Sequence, residues 1–353
     1  MRGRDIEQSG LLSYVSLEER IPAGHPLRSI KPMCDAALGK LTWRMSRLYS
    51  KMGRSSVPPE RLLRALLLQI LFSIRSERML MEQLEYNLLY RWFVGLSVDD
   101  AAWDATVFSK NRERLLRGDL AQGFLAAVVA QAQAKNLMSD EHFSVDGSLL
   151  EAWASKNSYQ PKDEPPSEGS GSRGEVLRRD TYECRTDPDA RLFRKNNGGA
   201  YQLCHMVHVL MENRNGLAVV GRASEATTDA EAKMALEMLE ALQRPGWRAT
   251  VGADTGSDYA GFVNSVRALG VTPHVNQHTK RASAIDRRTT RHVGYEISLQ
   301  KRKRIEQIFG WIKSTGRLKK LRHRGRSLVE WMFTFALAAY NLVRMRTLAV
   351  QSA

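Results

Sequence analysis

Three carboxylates of this 353-residue chain occupy positions where a carboxylate is costly to keep. Asp146 interrupts FSVDGSLL (143–150), whose alternation puts Phe143 and Val145 on one face and Ser144 and Asp146 on the other, as in a strand. Asp254 ends RATVGAD (248–254), a second strand pattern. An unpaired charge buried in a sheet is unfavourable, so acids at such positions either face solvent or serve chemistry. The third acid, Glu306, lies inside KRKRIEQIFGWIK (301–313), where Ile305, Ile308, Phe309 and Ile312 make a helical core stripe. Each has a plainer reading. Asp146 could sit on an edge, and Asp254, ahead of Thr255-Gly256-Ser257, could be a turn or cap residue. Glu306 could form an i,i+4 pair with Arg302, worth only about 0.2–0.5 kcal/mol.

The chemistry such acids would share is metal-assisted attack on phosphate. Magnesium takes oxygen ligands, commonly a few carboxylates with water and substrate phosphate. Two ions about 3.5–4 Å apart can activate an attacking oxygen and stabilise a leaving one. The charge distribution fits a polyanionic partner. The chain carries +15, and the stretch Lys280 to Arg326 holds 16 Lys/Arg against three acids, leaving the other residues nearly neutral. If 298–314 is one helix, Arg302, Glu306 and Lys313 project from roughly one face at 100° per residue.

Other chemistries lack support. Cys204, His205 and His208 have no fourth zinc ligand at suitable spacing. No G-x-S-x-G or P-loop pattern occurs, so no nucleotide cofactor is expected. Three scattered cysteines suit a reducing compartment rather than a disulfide framework. MRGRDIEQSG has no apolar signal region, and the longest apolar run, Leu62 to Ile74, contains Arg64 and falls short of the roughly 20 residues a membrane span needs.

The elements that must position the acids can be read from periodicity. Residues 1 to about 135 read as helical: a helix after Pro58-Pro59 reaching Ile74, then Glu82 to Phe93, Thr106 to Arg117 and Asp119 to Lys135. After the strand at 143–150, the stretch 155–175 has 11 Ser, Gly or Pro among 21 residues and no Leu, Ile, Val or Phe, which predicts a flexible loop. Strands over Cys204 to Met211 and Leu217 to Arg222 flank a hairpin signal, Asn213-Arg214-Asn215-Gly216. Thr228-Asp229-Ala230-Glu231 matches a capping box opening a helix to about Leu242. The strand ending at Asp254, a helix over Asp258 to Leu269, a strand near Val271 to Val275, a helix from about Ser298 to Ser314 and an apolar helix over Leu328 to Arg346 complete the chain. This order predicts a mixed α+β fold: a helical amino-terminal domain (1–138), then a mixed sheet flanked by helices (139–353), compatible with a ribonuclease H-like core.

Taken together, these segments resemble a known family. LLSYVSLEERIPAGHPLR (11–28), SERMLMEQLEYNLLYRWFVGL (76–96), FSVDGSLLEAWAS (143–155), TDPDARLFRK (186–195), HMVHVLMENRNGL (205–217), VGADTGSDY (251–259), SAIDRRTTRHVGY (283–295) and KRKRIEQIFGWIK (301–313) are similar, in order, to bacterial insertion-sequence transposases of the DDE type, in the family numbered five and related to the one numbered four. By motif, the family's catalytic, metal-binding acids fall on Asp146, Asp254 and Glu306, 108 and 52 residues apart, and its flanking Arg and Lys fall on Arg302 and Lys313. Departures are Leu299 for a Tyr of related families, Arg287 for a Gly and Ala105 for a His.

The resemblance implies Mg2+ or Mn2+, as two ions, with Asp146 between them. It implies cleavage at the inverted-repeat ends of a mobile element and attack of the freed 3′-OH on target DNA. Arg302, Lys313, Lys301, Lys303, Arg304, Arg288 and Arg291 would hold phosphates, and the helical domain would read the ends or dimerise. The partners expected are double-stranded DNA and a second copy of the chain, with no membrane, in a bacterial cytoplasm at the nucleoid. Two alternatives are a ribonuclease H-like nuclease without strand transfer and a non-catalytic DNA-binding regulator derived from a transposase.

Overall fold

Residues 16–50, 52, 56–116, 119–162, 182–194 and 200–351 are described by a computed structural model. The helical part comprises α1 (Leu17–Arg20), α2 (Pro26–Gly39), α3 (Thr42–Ser46), α4 (Pro59–Leu71), α5 (Glu77–Tyr86), α6 (Leu88–Val94), α7 (Ala105–Leu116) and α8 (Leu120–Ala134). Proline at the first position of α4 has no N–H to leave unpaired, and the helix buries Leu63, Leu66, Leu67 and Ile70 as their spacing predicts, but it ends at Leu71, short of the expected Ile74. The helix expected over Glu82 to Phe93 is instead two. Asn87 takes an extended conformation, ends α5 and caps α6 by accepting from Tyr90 N–H at 3.3 Å. A side chain that competes for backbone bonds breaks a helix whose apolar period is nearly continuous. Buried Arg91 then gathers the chain around that break, donating to the carbonyls of Leu84, Glu85, Ser97, Val98 and Asp100.

The sheet begins with β1 (His142–Glu151). Part of the stretch expected as a flexible loop takes up structure: a 3-10 turn over Lys156–Ser158 leads into β2 (Tyr159–Pro161), which pairs with β3 (Tyr182–Cys184) while Tyr159 stacks on Tyr182. The remainder of that stretch, 163–175, lies outside the described residues. Next come β4 (Arg191–Phe193), β5 (Gln202–Glu212), β6 (Ala218–Glu225), α9 (Ala230–Glu240), β7 (Ala249–Ala253), α10 (Ala260–Ala268), β8 (Val271–Val275), α11 (Arg287–Thr290), α12 (Val293–Arg302), α13 (Ile305–Ser314) and α14 (Arg326–Gln351).

The main sheet runs β6–β5–β1–β7–β8, with β4 also on β5. β5 is antiparallel to β1 and β6 antiparallel to β5, whereas β7 is parallel to β1 and β8 parallel to β7. Three antiparallel strands continued on the far side of the first by two parallel ones is the ribonuclease H-like arrangement. The hairpin between β5 and β6 is held by buried Glu212, whose carboxylate accepts from the N–H groups of Ser139, Arg214, Asn215 and Leu217 at 2.7–3.2 Å.

One hydrophobic core joins α2, α4 and α8 to β5, β6, α13 and α14, and a second packs α9 and α10 on the other side of the sheet. The 26-residue α14 runs through the first, stacking Phe335 on Phe124 of α8 at 5.2 Å between ring centroids. Its buried Asn341 accepts from Ala218 N–H and donates to Ala218 C=O, pinning the start of β6. Gly221 lets that helix lie against β6: a Cβ there would come within 2.3 Å of Leu337 Cδ1. Among the described residues no helix is long and apolar enough to cross a membrane.

Candidate metal centre

The parallel pairing of β1 with β7 ends at Ser144 opposite Gly252, and Asp146 and Asp254 each stand two residues beyond that pair. β1 is also where the strand order reverses, with the antiparallel strands on one side and the parallel ones on the other. Adjacent parallel strands that part at such a point open a crevice at their carboxyl ends, the usual ligand position in sheets of this kind. Asp146 and Asp254 therefore face a common space although 108 residues separate them.

A third acid joins them, and it is Glu231 of α9. One ligand oxygen each from Asp146, Glu231 and Asp254 lie within 4.8 Å of one another, all three side chains half-buried. Asp254 precedes a 3-10 turn over Thr255–Ser257 but makes no side-chain cap hydrogen bond, which removes the cap reading and leaves its carboxylate to the crevice. Asp146 accepts from Gly147 N–H at 2.8 Å, and Arg302 Nη1 stands 4.0 Å from its other oxygen.

Glu306 lies outside that group, exposed near the start of α13. The expected single helix over 298–314 is broken at Lys303 and Arg304, where Arg304 N–H and Glu306 N–H bond back three residues rather than four. Arg304 Nη1 donates to Arg214 C=O in the hairpin at 2.7 Å, a long-range bond that helical periodicity cannot encode. The common face predicted for Arg302, Glu306 and Lys313 consequently survives only for the last two, which share α13. Arg302 points to Asp146 instead, so the plainer reading of Glu306 as its i,i+4 partner gives way to a pair with a site acid. Lys313 Nζ reaches Ser148 Oγ at 2.7 Å, which brings the Glu306 face of α13 alongside β1.

The remaining cations divide. Arg288 is bound by Asp286 through two hydrogen bonds of 2.9 and 2.6 Å, while Arg291 and Lys303 are exposed and Lys301 is half-buried. The segment after β8 that carries the first basic residues is organised by buried Asp258, which accepts from His278 N–H, Ser283 Oγ and Ala284 N–H. Burial alone would raise the Asp258 pKa, yet these three donors hold it below the ordinary carboxylate value. Nothing in the local sequence marks Asp258 or Glu231 as functional. The first lies in VGADTGSDY, and the second fits the Glu of a capping box, whereas the N-cap is Asp229, paired with Lys233 at 2.5 Å.

Two family models match the chain, a transposase domain (DUF772) over residues 15–114 and a transposase DDE domain over 141–342. The chain belongs to the DDE transposase family. Among solved structures, the transposase is similar to a piggyBac transposase in a synaptic complex with hairpin DNA, at 8% identity and a TM-score of 0.42, with 92% of this chain and 76% of that one covered. It is also similar to the Mos1 transposase in a paired-end complex with the left transposon end, at 12% identity and a TM-score of 0.20, with 78% and 85% covered. A pre-cleavage Mos1 transpososome matches at 12% identity and a TM-score of 0.20, over 86% of this chain and 82% of that one. No curated protein matches.

Proposed function

We propose that this transposase cuts DNA at the inverted-repeat ends of an insertion sequence and transfers the freed 3′-OH into target DNA. The observation that carries the reading is the meeting of Asp146 and Asp254 where β1 and β7 diverge, beside Arg302 and Lys313. An all-oxygen donor set of half-buried carboxylates suits a hard divalent cation such as Mg2+ or Mn2+. Bound there, two ions would supply Lewis acidity to the attacking and leaving oxygens. Asp146, Asp254 and Glu306 would hold them.

The chain's cations do the positioning. Arg302 and Lys313, with Lys301, Lys303, Arg304, Arg288 and Arg291 further out, hold phosphates and offset the repulsion between DNA and the acids without reading sequence. The helical domain reads the ends, and a homodimer pairs them, in the cytoplasm at the nucleoid.

Linear DNA ending in the element's inverted repeat, incubated with Mg2+ and a circular target, should yield nicked ends and covalently joined products. Nicking without joining would favour a nuclease, and end binding without nicking a regulator. Arg302→Gln with Lys313→Gln should weaken binding and make the plot of log affinity against log salt shallower by about 2, because each lost phosphate contact releases about one fewer counterion. Weaker binding with an unchanged slope would remove both residues from the DNA track.

A further inference from the structure

We infer that Glu231 is a further ligand of the metal ion held by Asp146 and Asp254. This rests on the metal-dependent transposase reading above and goes beyond the three acids that the sequence motif supplies.

The first observation is position. Glu231 is the second residue of α9, a helix that packs Ala235, Met238 and Leu239 against Phe143 and Val145 on the side of the sheet away from Asp146. To bring an oxygen within 4.8 Å of both aspartates, its side chain must reach past β1. The second observation shows where it passes. Gly147 follows Asp146 and falls in the strand period of Phe143 and Val145, and a Cβ built on it would meet Glu231 Cγ at 2.8 Å and Glu231 Oε1 at 2.9 Å. The space that any other residue's side chain would need is filled by the Glu231 carboxylate. Sheets rarely place glycine mid-strand without such a close approach.

The third observation is support from behind. His208 is the cross-strand partner of Gly147, and its Nδ1 lies 3.0 Å from the same Cβ point. Its Nε2 is engaged with Ser224 Oγ at 2.8 Å, and that hydroxyl donates onward to Glu225 C=O. The imidazole is thereby fixed on its far side with its other nitrogen turned toward the Glu231 notch. An oriented group behind a carboxylate is how ligand oxygens are held for a metal. Three carboxylates this close repel one another, and a divalent cation among them turns that repulsion into attraction.

The inference is tested by titrating the DNA-free protein with Mn2+ and reading free Mn2+ by electron paramagnetic resonance. Wild-type protein should bind Mn2+, and Glu231→Gln should weaken that affinity about 10- to 100-fold. Gly147→Ala keeps every carboxylate yet should cause a similar loss by displacing Glu231. A structural role alone would lower the melting temperature in EDTA. A ligand role predicts that Glu231→Gln melts no lower than wild type in EDTA and gains less from added Mn2+.

Wild-type Mn2+ affinity in Glu231→Gln, with affinity lost in Asp146→Asn and Asp254→Asn, would overturn the inference and leave the transposase site standing. Undiminished affinity in all three variants would overturn the metal reading itself, and no Mn2+ binding by the DNA-free wild type would overturn the preformed site. Should Glu231→Gln fail to fold, Glu231→Asp serves in its place, with an intermediate affinity expected and a wild-type one decisive against.

Discussion

Asp146→Asn is expected to reduce Mg2+-dependent cleavage at the element ends by at least about a thousandfold, equivalent to ~4 kcal/mol of barrier, while end binding persists. The amide keeps the volume and the acceptor for Gly147 N–H, so β1 has no reason to move. What disappears is the negative charge at the centre of the constellation, which lies near Glu231, Asp254 and the Arg302 guanidinium at once. A gel assay of strand nicking alongside a mobility-shift assay on the same preparation separates the two properties. Cutting that survives the substitution would remove Asp146 from the reaction. Asp254→Asn and Glu306→Gln should behave alike if the motif's three acids act as one site.

Glu212→Ala should be the most destabilising single change outside the crevice. Four backbone N–H groups converge on that buried carboxylate, and truncation leaves them without an acceptor where water has little access. An orphaned buried donor costs about 1–3 kcal/mol, and partial relaxation of the turn should hold the total near ~4 kcal/mol. Chemical denaturation reads this directly, and a loss below ~1 kcal/mol would show that the turn finds other partners. The damage should extend to catalysis, because Arg304 is anchored on the Arg214 carbonyl of this same turn and sets the break between α12 and α13.

How much of the site was legible beforehand depends on the range of the interaction concerned. Alternation exposed β1, and with it Asp146, because a strand writes its two faces into every second residue, and the short apolar run RATVGAD, closed by a turn signal, marked β7 and Asp254 at its end. The β5–β6 hairpin was equally visible from Asn213 to Gly216, and the order of strands and helices restricted the sheet to few topologies. The breaks at Asn87 and at Lys303-Arg304 were hidden, since the apolar period runs nearly unbroken across the first, the polar run from Gln300 to Arg304 fits an exposed helix face at the second, and the decisive bonds come from a side chain or from a distant turn. Glu231 was hidden for a different reason. Its local context fits a helix start, and its role depends on a missing side chain 84 positions earlier, at Gly147. The short strands β2, β3 and β4 carry too few residues to show a period at all.

The long closing helix has a consequence for synthesis. Until α14 leaves the ribosome, β6 lacks the Asn341 clamp at its start, and Phe124 of α8 lacks its stacking partner Phe335. The nascent chain must carry those apolar surfaces uncovered through most of translation. A chain that stops before α14 should thus aggregate rather than persist as a weak enzyme, because no other described element covers those surfaces.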